Sequence, residues 1–245
     1  MRQVILSVFF IALPLFIFSQ NKNVMLDISH EQKSQYLKVN PQIFDEYKEV
    51  VEGQLGVTLI INEDKELESS LLNSQDLVII LSPLSKETLK NLTTTERKSL
   101  IDYVKNGGKL ILFTDEDHRM DAEAFGANEV VGPFGMQFGE DLDYIRNVMA
   151  ISFIGEVFKG KYEVPYSGSR ELIGGIPLSV RNSPGAHVHG AYTKLDNGGK
   201  IAVFGETMVA LFLGGVDEKR SDATIHWDGK DDKQFMQELI DWMLK

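Results

Sequence analysis

Apolar and polar positions form alternating blocks along the chain, and these blocks predict strands and helices in turn. Four short, nearly continuous apolar runs have the pattern of strands buried on both faces of a parallel sheet: residues 24–28, 56–61, 76–81 and 109–114. Between these runs, residues 41–54 and 93–108 carry apolar side chains at helical spacing, and the second segment ends at Gly107 and Gly108, which are typical helix stops. The alternation predicts an α/β fold with a doubly wound, mainly parallel sheet.

The second half of the chain is dominated by strand patterns. We interpret residues 120–175, which are Gly-rich and contain weak strand candidates at 150–155 and 161–166, as an inserted β-rich segment at the sheet edge. Further predicted elements are strands at 176–180, 186–195 and 199–205, a helix start at 208–213 and an amphipathic closing helix at 232–244. The sequence contains no linker or repeat, which predicts a single domain over residues 20–245.

The N-terminus has the pattern of a secretory signal peptide over residues 1–19. Arg2 supplies a positive charge, residues 4–18 are nearly all apolar, and Ser19 is a small residue at a plausible cleavage point. The apolar stretch is shorter than the ~20 residues that a transmembrane helix needs. We therefore expect a mature chain that begins at Gln20, is periplasmic or secreted, and has no segment inserted in a membrane.

Composition narrows the possible partners and chemistry. The formal net charge of −11 argues against nonspecific binding to nucleic acid or to an anionic membrane surface, because both partners need a basic face. The chain has no cysteine, which excludes disulfides, thiolate metal sites and a cysteine nucleophile. An acidic ligand would need a locally basic pocket.

Polar side chains capable of chemistry follow the predicted strands. Ligands of open α/β sheets bind outside the carboxyl ends of the strands. Residues 29–32, 114–119 and 206–207 are polar clusters at such ends. His187 and His189 form a fourth cluster, and their i, i+2 spacing predicts that both lie on one face of a strand.

Four segments, taken in order, carry a resemblance to a known family: VMLDISHEQ at 24–32, DLVIILSPLS at 76–85, LTTTERKSLIDYVKNGGKLILFTDEDH at 92–118 and GGKIAVFGET at 198–207. Their order resembles the GIFT domain, a class I glutamine amidotransferase-like family with relatives in polysaccharide-degradation loci of Bacteroidetes. The resemblance implies a flavodoxin-like fold without amidotransferase chemistry, since the glutaminase nucleophile is a cysteine. It also implies sugar binding, and in size and organisation the chain is similar to secreted dehydratases of ulvan oligosaccharides.

The expected function is that of a secreted lyase. It would form an unsaturated uronic acid at the non-reducing end of uronate-containing, ulvan-type oligosaccharides. Such a dehydration needs a base with a pKa near 7, an acid for the leaving hydroxyl, and a cation or hydrogen-bond donors that stabilise the enediolate. His30 or His118 is the candidate base, and His187, His189 or Tyr192 is the candidate acid.

Arginine is the candidate partner of the substrate carboxylate, because a planar guanidinium binds a carboxylate in a bidentate manner. Either Arg119 or Arg181 would serve, and an arginine would also reconcile an acidic protein with an acidic sugar. Ser29, Gln32 and Glu206 complete the predicted substrate-binding set.

Several alternatives stay open at the level of the sequence. No cofactor is certain, but a divalent metal ion is a possible electrophile, held by His187 and His189 together with His118 or Glu206. The polar residues of the 29–32 cluster have a simpler interpretation as caps of the first loop. The whole chain has two non-enzymatic interpretations, as a sugar-binding module or as a cell-envelope assembly partner.

Overall fold

The structure is a computed structural model that describes residues 22–143, 148–165, 169–181, 185–219, 224–227 and 229–245. The predicted signal peptide at residues 1–19 lies outside the described residues, as does Tyr166 at the end of a predicted strand. Among the described helices, none has the length and the apolar character needed to cross a membrane.

The strands of the described residues fall into one large sheet and two small ones. In chain order they are β1 (Asn23–Asp27), β2 (Thr58–Asn62), β3 (Leu77–Ile80), β4 (Lys109–Phe113), β5 (Met136–Asp141), β6 (Met149–Ser152), β7 (Glu163–Pro165), β8 (Arg170–Gly174), β9 (Ile176–Arg181), β10 (Val188–Lys194), β11 (Lys200–Phe204), β12 (Val216–Lys219) and β13 (Thr224–Trp227). The large sheet has nine strands in the order β2-β1-β3-β4-β11-β10-β9-β6-β7. The other pairs, β5 with β8 and β12 with β13, form two-stranded sheets.

The large sheet is mixed, and the prediction of a mainly parallel sheet is wrong. The pairings from β2 through β1, β3 and β4 to β11 are parallel. The pairings from β11 through β10, β9 and β6 to β7 are antiparallel. The physical reason is the short connections from β9 to β10 and from β10 to β11, because a parallel pair needs a crossover of a dozen or more residues. The four predicted parallel strands are confirmed.

The described α-helices are α1 (Lys33–Val39), α2 (Ile43–Lys48), α3 (Ser69–Leu72), α4 (Thr94–Lys105), α5 (Ala122–Phe125), α6 (Ala127–Val131), α7 (Met208–Leu211) and α8 (Lys230–Leu244). The first four lie between the strands β1 to β4 of the parallel half. A π-helical segment at Glu49–Gln54 continues α2, so the helix predicted at 41–54 is present but changes its hydrogen-bond pattern halfway. The sequence pattern did not predict α1.

Two hydrophobic clusters pack against the large sheet. Val24 and Leu26 of β1 belong to one cluster, together with Phe235 of α8. Met25, between them, belongs to the other, together with Leu100 of α4. Successive strand residues point to opposite faces, so β1 contributes to both cores and is buried throughout most of its length.

The segment at 120–175 contains β5 to β8. Its strands β6 and β7 continue the large sheet at one end, while β5 and β8 pair with each other. The weak strand candidates at 150–155 and 161–166 correspond to β6 and β7. The extent of the inserted segment, and the single domain, stay predictions.

A capping box starts α4, as the threonine-rich sequence suggests. The Thr93 hydroxyl accepts a hydrogen bond from the Glu96 amide at 3.2 Å, and the Glu96 carboxylate accepts one from the Thr93 amide at 2.8 Å. Such a cap contributes about 1 kcal/mol. It also holds the Glu96 side chain at the helix N-terminus, where that carboxylate contacts the loop after β1.

One edge of the sheet collects the polar residues of interest. The carboxyl ends of β1, β3, β4 and β11 meet there because these strands are parallel. The start of β10 reaches the same edge because β10 runs antiparallel to β11, with Gly190 opposite Phe204. The end of β9 lies beside it, since Ser179 pairs with Gly190.

Candidate functional site

A buried carboxyl–imidazole pair lies where β11 ends. Glu206 and His189 are both completely buried, and Glu206 Oε2 lies 3.6 Å from His189 Nε2. The Met208 amide approaches the Glu206 carboxyl and lowers its pKa, although neither carboxyl oxygen has a partner at normal hydrogen-bond geometry within the described part of the chain. Ser179 Oγ lies 2.9 Å from His189 Nδ1, on the other side of the ring. This contact fixes the orientation of the imidazole towards the carboxyl.

A β-bulge brings His189 to this position. The pairing register between β9 and β10 shifts on both sides of Gly190. A Cβ at Gly190 would fall 2.3 Å from the Phe204 ring, and the His189 ring packs against that same ring with 5.6 Å between centroids. The predicted i, i+2 pair is therefore separated: His187 precedes β10 and is half-buried, whereas His189 is fully buried.

A second carboxyl lies just beyond β4. Both side-chain oxygens of Asp115 lie 3.3 Å from Arg119 Nη1. Asp115 is completely buried, whereas the Arg119 side chain is 34% exposed, so the guanidinium connects the buried carboxyl to the surface. The Asp115 backbone carbonyl accepts a hydrogen bond of 2.7 Å from Arg170 Nε, which holds the loop in place.

Burial gives these groups unusual protonation behaviour. Burial raises the pKa of Glu206 well above its usual value, and the neighbouring Asp115 carboxyl adds to the rise. Burial also raises the pKa of Asp115 to about 6, although Arg119 opposes the shift. The same effect lowers the pKa of His189 to about 3. Glu206 therefore keeps its proton to a higher pH than an ordinary carboxyl does, while His189 stays neutral.

Tyrosine and acidic side chains complete this buried cluster. The Tyr36 hydroxyl of α1 donates to the Ser82 carbonyl after β3, and it lies 3.1 Å from Thr207 Oγ1. Asp232, in the first turn of α8, is 2% exposed and raises the pKa of Glu206 further. We call Asp115, Arg119, His189 and Glu206 the edge cluster.

His30 lies in a separate ionic triad after β1. Its Nδ1 is 3.3 Å from Asp27 Oδ2, and its Nε2 is 3.3 Å from Glu96 Oε1. Burial lowers the pKa of His30, but Asp27 and Glu96 together raise it by more, so the net pKa lies above 6.5. His30 is only 3% exposed, and both of its ring nitrogens face carboxylates.

The other polar residues of this loop also make internal contacts. Ser29 Oγ donates to Asp27 Oδ1 at 2.9 Å. The Gln32 side-chain oxygen Oε1 accepts a hydrogen bond from the His30 backbone amide at 2.7 Å, and Gln32 Nε2 donates to the Leu81 backbone carbonyl at 3.2 Å. These contacts agree with the loop-capping interpretation of Ser29, His30 and Gln32.

The remaining predicted site residues are scattered. The His118 side chain is 64% exposed and lies on the loop that carries Asp115. Arg181 and His187 lie together over Gly185, where a Cβ would approach both side chains. Tyr192 packs edge-on against Trp242 in the last turn of α8, with 4.9 Å between ring centroids. Of the predicted set, the structure thus brings His189, Arg119 and Glu206 into the edge cluster.

The structure offers no support for the predicted metal alternative. Across the described residues, no three histidine, aspartate or glutamate side chains lie in an arrangement that could hold a metal ion. His189 contacts Glu206, but His187 and His118 are not part of that contact.

Three residues of the site were not singled out individually by the sequence. Ser179 lies inside an ordinary strand pattern, and Tyr36 lies in a segment without a predicted element. Asp115 belongs to a polar cluster that the sequence places at a strand end, but its neighbours Glu116 and Asp117 look equally suitable. Complete burial distinguishes Asp115 from them, and only the tertiary structure provides that information.

Comparisons with known proteins give information about the fold. No family profile and no curated protein sequence matches the chain. Among solved structures, the mmIFT52 N-terminal domain matches with a TM-score of 0.62 and 14% identity, covering 91% of this chain and 97% of that one. A ThuA-like protein from Bacteroides uniformis matches with a TM-score of 0.57 and 14% identity, covering 91% of both chains.

A third match is part of a larger protein. The exo-β-1,4-mannosidase Op5Man5 from Opitutaceae bacterium strain TAV5 has a TM-score of 0.51 and 14% identity. The match covers 91% of this chain but 35% of the mannosidase. At this identity the similarities show the fold alone. The chain has a mixed α/β sheet and a ThuA-like neighbour, and ThuA has a class I glutamine amidotransferase-like fold.

Proposed function

We propose that the protein is a secreted or periplasmic lyase that dehydrates the non-reducing-end uronic acid of ulvan-type oligosaccharides. The observation that carries the proposal is the edge cluster, in which a cation and two carboxyls of different proton affinity lie together at the carboxyl ends of parallel strands. Pairs of titratable groups whose environments separate their pKa values are typical acid and base pairs of enzymes.

The proposal assigns one role to each charged group of the cluster. Arg119 binds the substrate carboxylate, because its guanidinium is the part of the cluster that reaches the surface. Asp115 is the general base, with a pKa of about 6 that suits proton abstraction near neutral pH. Glu206 is the general acid, since burial keeps its proton in place.

The proposed reaction balances in protons. Asp115 removes the proton on C5, next to the carboxylate held by Arg119, and the electrons form the C4–C5 double bond. The C4–O bond breaks, and the Glu206 proton converts the leaving hydroxyl to water. One carboxyl gains a proton and the other loses one, so the total protonation of the enzyme is unchanged. Both carboxyls are buried, so the mechanism requires the Arg119 guanidinium to leave Asp115 and pair with the substrate carboxylate as the sugar enters.

His189 and Ser179 have positioning roles in this scheme. The neutral imidazole packs beside the Glu206 carboxyl, and Ser179 holds the ring in orientation. This differs from the expectation that a histidine is the base or the acid. A histidine with a pKa of about 3 is a poor base at neutral pH, and His30 is enclosed by two carboxylates.

A comparison with solved structures adds general support to the proposed function. A fold match to part of an exo-β-1,4-mannosidase agrees with a protein that handles sugars. Membership of the GIFT family, the doubly wound flavodoxin-like arrangement of its parallel half, and a cleaved signal peptide are parts of the same proposal.

The test is turnover of uronate-ended oligosaccharides by the purified protein, followed by the ultraviolet absorbance of the unsaturated uronate. We expect activity in the wild type and losses of about 10²- to 10⁴-fold in Asp115→Asn and in Glu206→Gln, because each removes one proton-transfer step. The control is Glu116→Gln, which changes an acidic neighbour outside the cluster. An inactive wild type, with or without added divalent metal, would refute the proposal.

A second candidate function is supported by an exposed apolar surface. Phe153, Ile154, Ile173 and Ile176 are each about half exposed or more, and all four lie near the ends of β6, β8 and β9. A contiguous apolar patch would mark an interaction site, and these four side chains are the candidates for the contact surface of a cell-envelope assembly partner. Co-purification of a stable complex that is lost in Ile154→Ser, together with an inactive wild type, would favour this second function.

A further inference from the structure

The first residue of β8, Arg170, lies between the two strand ends that carry the proposed site. Its side chain is 7% exposed, although β8 is not part of the large sheet. The Arg170 backbone amide donates a hydrogen bond of 3.0 Å to the carbonyl of Gly205, which directly precedes Glu206. The Arg170 guanidinium contacts the loop after β4, which carries Asp115 and Arg119. Arg170 therefore contacts both sides of the edge cluster.

The guanidinium bridges the loop after β4, from Asp115 to Met120. Arg170 Nε donates to the Asp115 carbonyl at 2.7 Å, and Arg170 Nη2 donates to the Met120 carbonyl at 2.6 Å. Nη2 also donates to Asp117 Oδ1 at 2.9 Å, in the middle of the loop. A guanidinium has five donors in a fixed planar fork, whereas an ammonium is a compact point charge. Only an arginine can therefore hold these acceptors at the same time.

Strand β5 holds the guanidinium and the loop together. Both carboxyl oxygens of Asp141 accept a hydrogen bond from the Asp117 backbone amide, at 2.9 and 2.8 Å. Asp141 is also the partner of Arg170 in the pairing of β5 with β8, and its Oδ1 lies 3.8 Å from Arg170 Nη1. The small sheet thus fixes the position from which Arg170 reaches the loop.

Gly205 completes the connection on the side of β11. Its amide donates to the His189 carbonyl at 3.0 Å, while its carbonyl accepts the Arg170 amide. A Cβ at Gly205 would fall 2.4 Å from the Arg170 carbonyl and 2.8 Å from Ser169 Oγ, so only glycine allows this close approach. Hydrogen bonds through Gly205 and Arg170 thus connect the two sides of the edge cluster.

We propose that Arg170 is a positioning residue that sets the spacing between Asp115 and Glu206. It contacts no reacting atom in the proposed reaction, and it acts through the backbone carbonyls of Asp115 and Gly205. A misplacement of about 1 Å in an active site can lower the rate about 10²-fold. The catalytic consequence rests on the proposed function, whereas the connection between the two strand ends rests on the hydrogen bonds alone.

The test is a carbon-13 NMR titration of the Asp115 carboxyl in the wild type and in Arg170→Gln. Loss of the guanidinium should let water reach the loop, which should lower the pKa of Asp115 from about 6 to about 5 or below. The matched control is Arg97→Gln, because Arg97 also donates to a backbone carbonyl, that of Leu92, outside the edge cluster. The control should leave the Asp115 titration unchanged.

The spacing itself is measured by the influence of Asp115 on Glu206. The Asp115 carboxylate raises the pKa of Glu206, so Asp115→Asn should lower it. In the Arg170→Gln background, Asp115→Asn should lower it by less, because two charges farther apart interact more weakly. An equal decrease in both backgrounds would show that the spacing is independent of Arg170 and would overturn the proposal.

Turnover of uronate-ended substrate gives a second readout. Arg170→Gln should lower kcat about 10²-fold and change KM far less, because the long Arg119 side chain can still follow the substrate carboxylate. A lower urea midpoint like that of Arg97→Gln, with an unchanged Asp115 titration, would show that Arg170 has a structural role alone. If Arg170→Gln does not fold, Arg170→Lys decides, since its ammonium cannot bridge the loop.

Two outcomes distinguish this proposal from the proposed function. An inactive wild type whose Asp115 titration depends on Arg170 refutes the lyase and supports the positioning role. An active wild type, together with a wild-type kcat and Asp115 titration in Arg170→Lys, supports the lyase and refutes the positioning role.

Discussion

Two groups of buried titratable residues lie at the same edge of the sheet. One of them favours the charged form of its histidine, and the other favours neutral forms. In the triad after β1, two carboxylates enclose His30, and the pKa of the imidazole rises. In the edge cluster, burial raises the pKa of Glu206 and lowers that of His189, so both groups favour their neutral forms.

The difference comes from the number of partners. His30 has a carboxylate within 3.3 Å of each ring nitrogen, and Glu96 has further hydrogen bonds to the Thr93 and Leu67 amides. Glu206 has the Met208 amide beside its carboxyl, which lowers its pKa but falls short of normal hydrogen-bond geometry. A satisfied buried charge stabilises local structure, whereas a carboxyl with spare donor and acceptor capacity can exchange a proton with a ligand. We therefore assign the triad to stability and the edge cluster to chemistry.

The largest predicted loss of stability follows from a substitution that breaks the triad. His30→Ala leaves Asp27 and Glu96 buried without their common cation, which should lower the free energy of unfolding by about 3–5 kcal/mol. Urea denaturation followed by circular dichroism measures the change. His118→Ala, which removes an exposed imidazole, is the matched control and should change stability by less than about 0.5 kcal/mol. A loss below about 1 kcal/mol for His30→Ala would contradict a structural triad.

The next effect is a pH dependence that originates in Asp115. Its folded-state pKa of about 6 lies above the usual value of 3.8, so the folded state binds the proton more tightly than the unfolded state. The wild type should therefore lose about 3 kcal/mol from this group as the pH rises from about 4 to about 6. In Asp115→Asn this loss should be absent, and parallel pH–stability curves for the two proteins would refute the raised pKa.

The stabilising effect of the triad should change with pH in the range where His30 titrates. Because the pKa of His30 is raised, its stabilising effect is fully present below about 6.5 and is lost as the pH rises through the folded-state pKa. His30→Gln should flatten the stability curve on the alkaline side of pH 6.5. Unchanged curvature there would show that the imidazole is neutral in the folded protein.

Smaller changes in stability should distinguish Glu206 of the edge cluster from Glu96 of the triad. Glu206→Gln replaces a neutral acid by an amide of the same shape, and should change the free energy of unfolding by about 1 kcal/mol or less. Glu96→Gln removes a charge that His30 needs, and should cost about 2–3 kcal/mol. Thermal denaturation at pH 7 compares the two variants, and equal losses would remove the distinction between the groups.

The smallest stability effect is expected at the surface of the edge cluster. Arg119→Gln loses a partly exposed guanidinium, and at pH 5, where the buried Asp115 carboxyl with its pKa of about 6 is mostly protonated, the effect on stability should stay below about 1 kcal/mol. The same variant should raise KM for uronate-ended substrate by about tenfold or more. Lys86→Gln removes a cation on a nearby loop and serves as the control. An unchanged KM in Arg119→Gln would assign the carboxylate contact to another residue.

The sequence predicted the parallel half of the sheet well and the antiparallel half poorly. Continuous apolar runs identify strands such as β1 and β3, and the cap and glycine stop identify α4, because these signals are local. The order β11-β10-β9-β6 depends on which strands meet across short loops, and a strand pattern carries no information about its partner. The same limit applies to α1, whose short length leaves little helical periodicity.

The candidate site was predictable only in part. The sequence placed Arg119 and Glu206 at strand ends and His189 on a nearby strand, and the structure brings the three side chains into one cluster. The bulge at Gly190, which separates His189 from His187, depends on contact with Phe204 and is invisible in the sequence. His30 has the same residue type and a similar position at a strand end, but its partner Glu96 is distant in sequence.

The most direct test of the account is a carbon-13 NMR titration that follows the Glu206 carboxyl and the His30 and His189 imidazoles in one sample. The account predicts a protonated Glu206 and a neutral His189 at pH 7, together with a His30 that titrates above pH 6.5. A Glu206 signal that titrates near pH 4.5, like an ordinary exposed carboxyl, would contradict the central claim that the edge cluster holds an exchangeable proton.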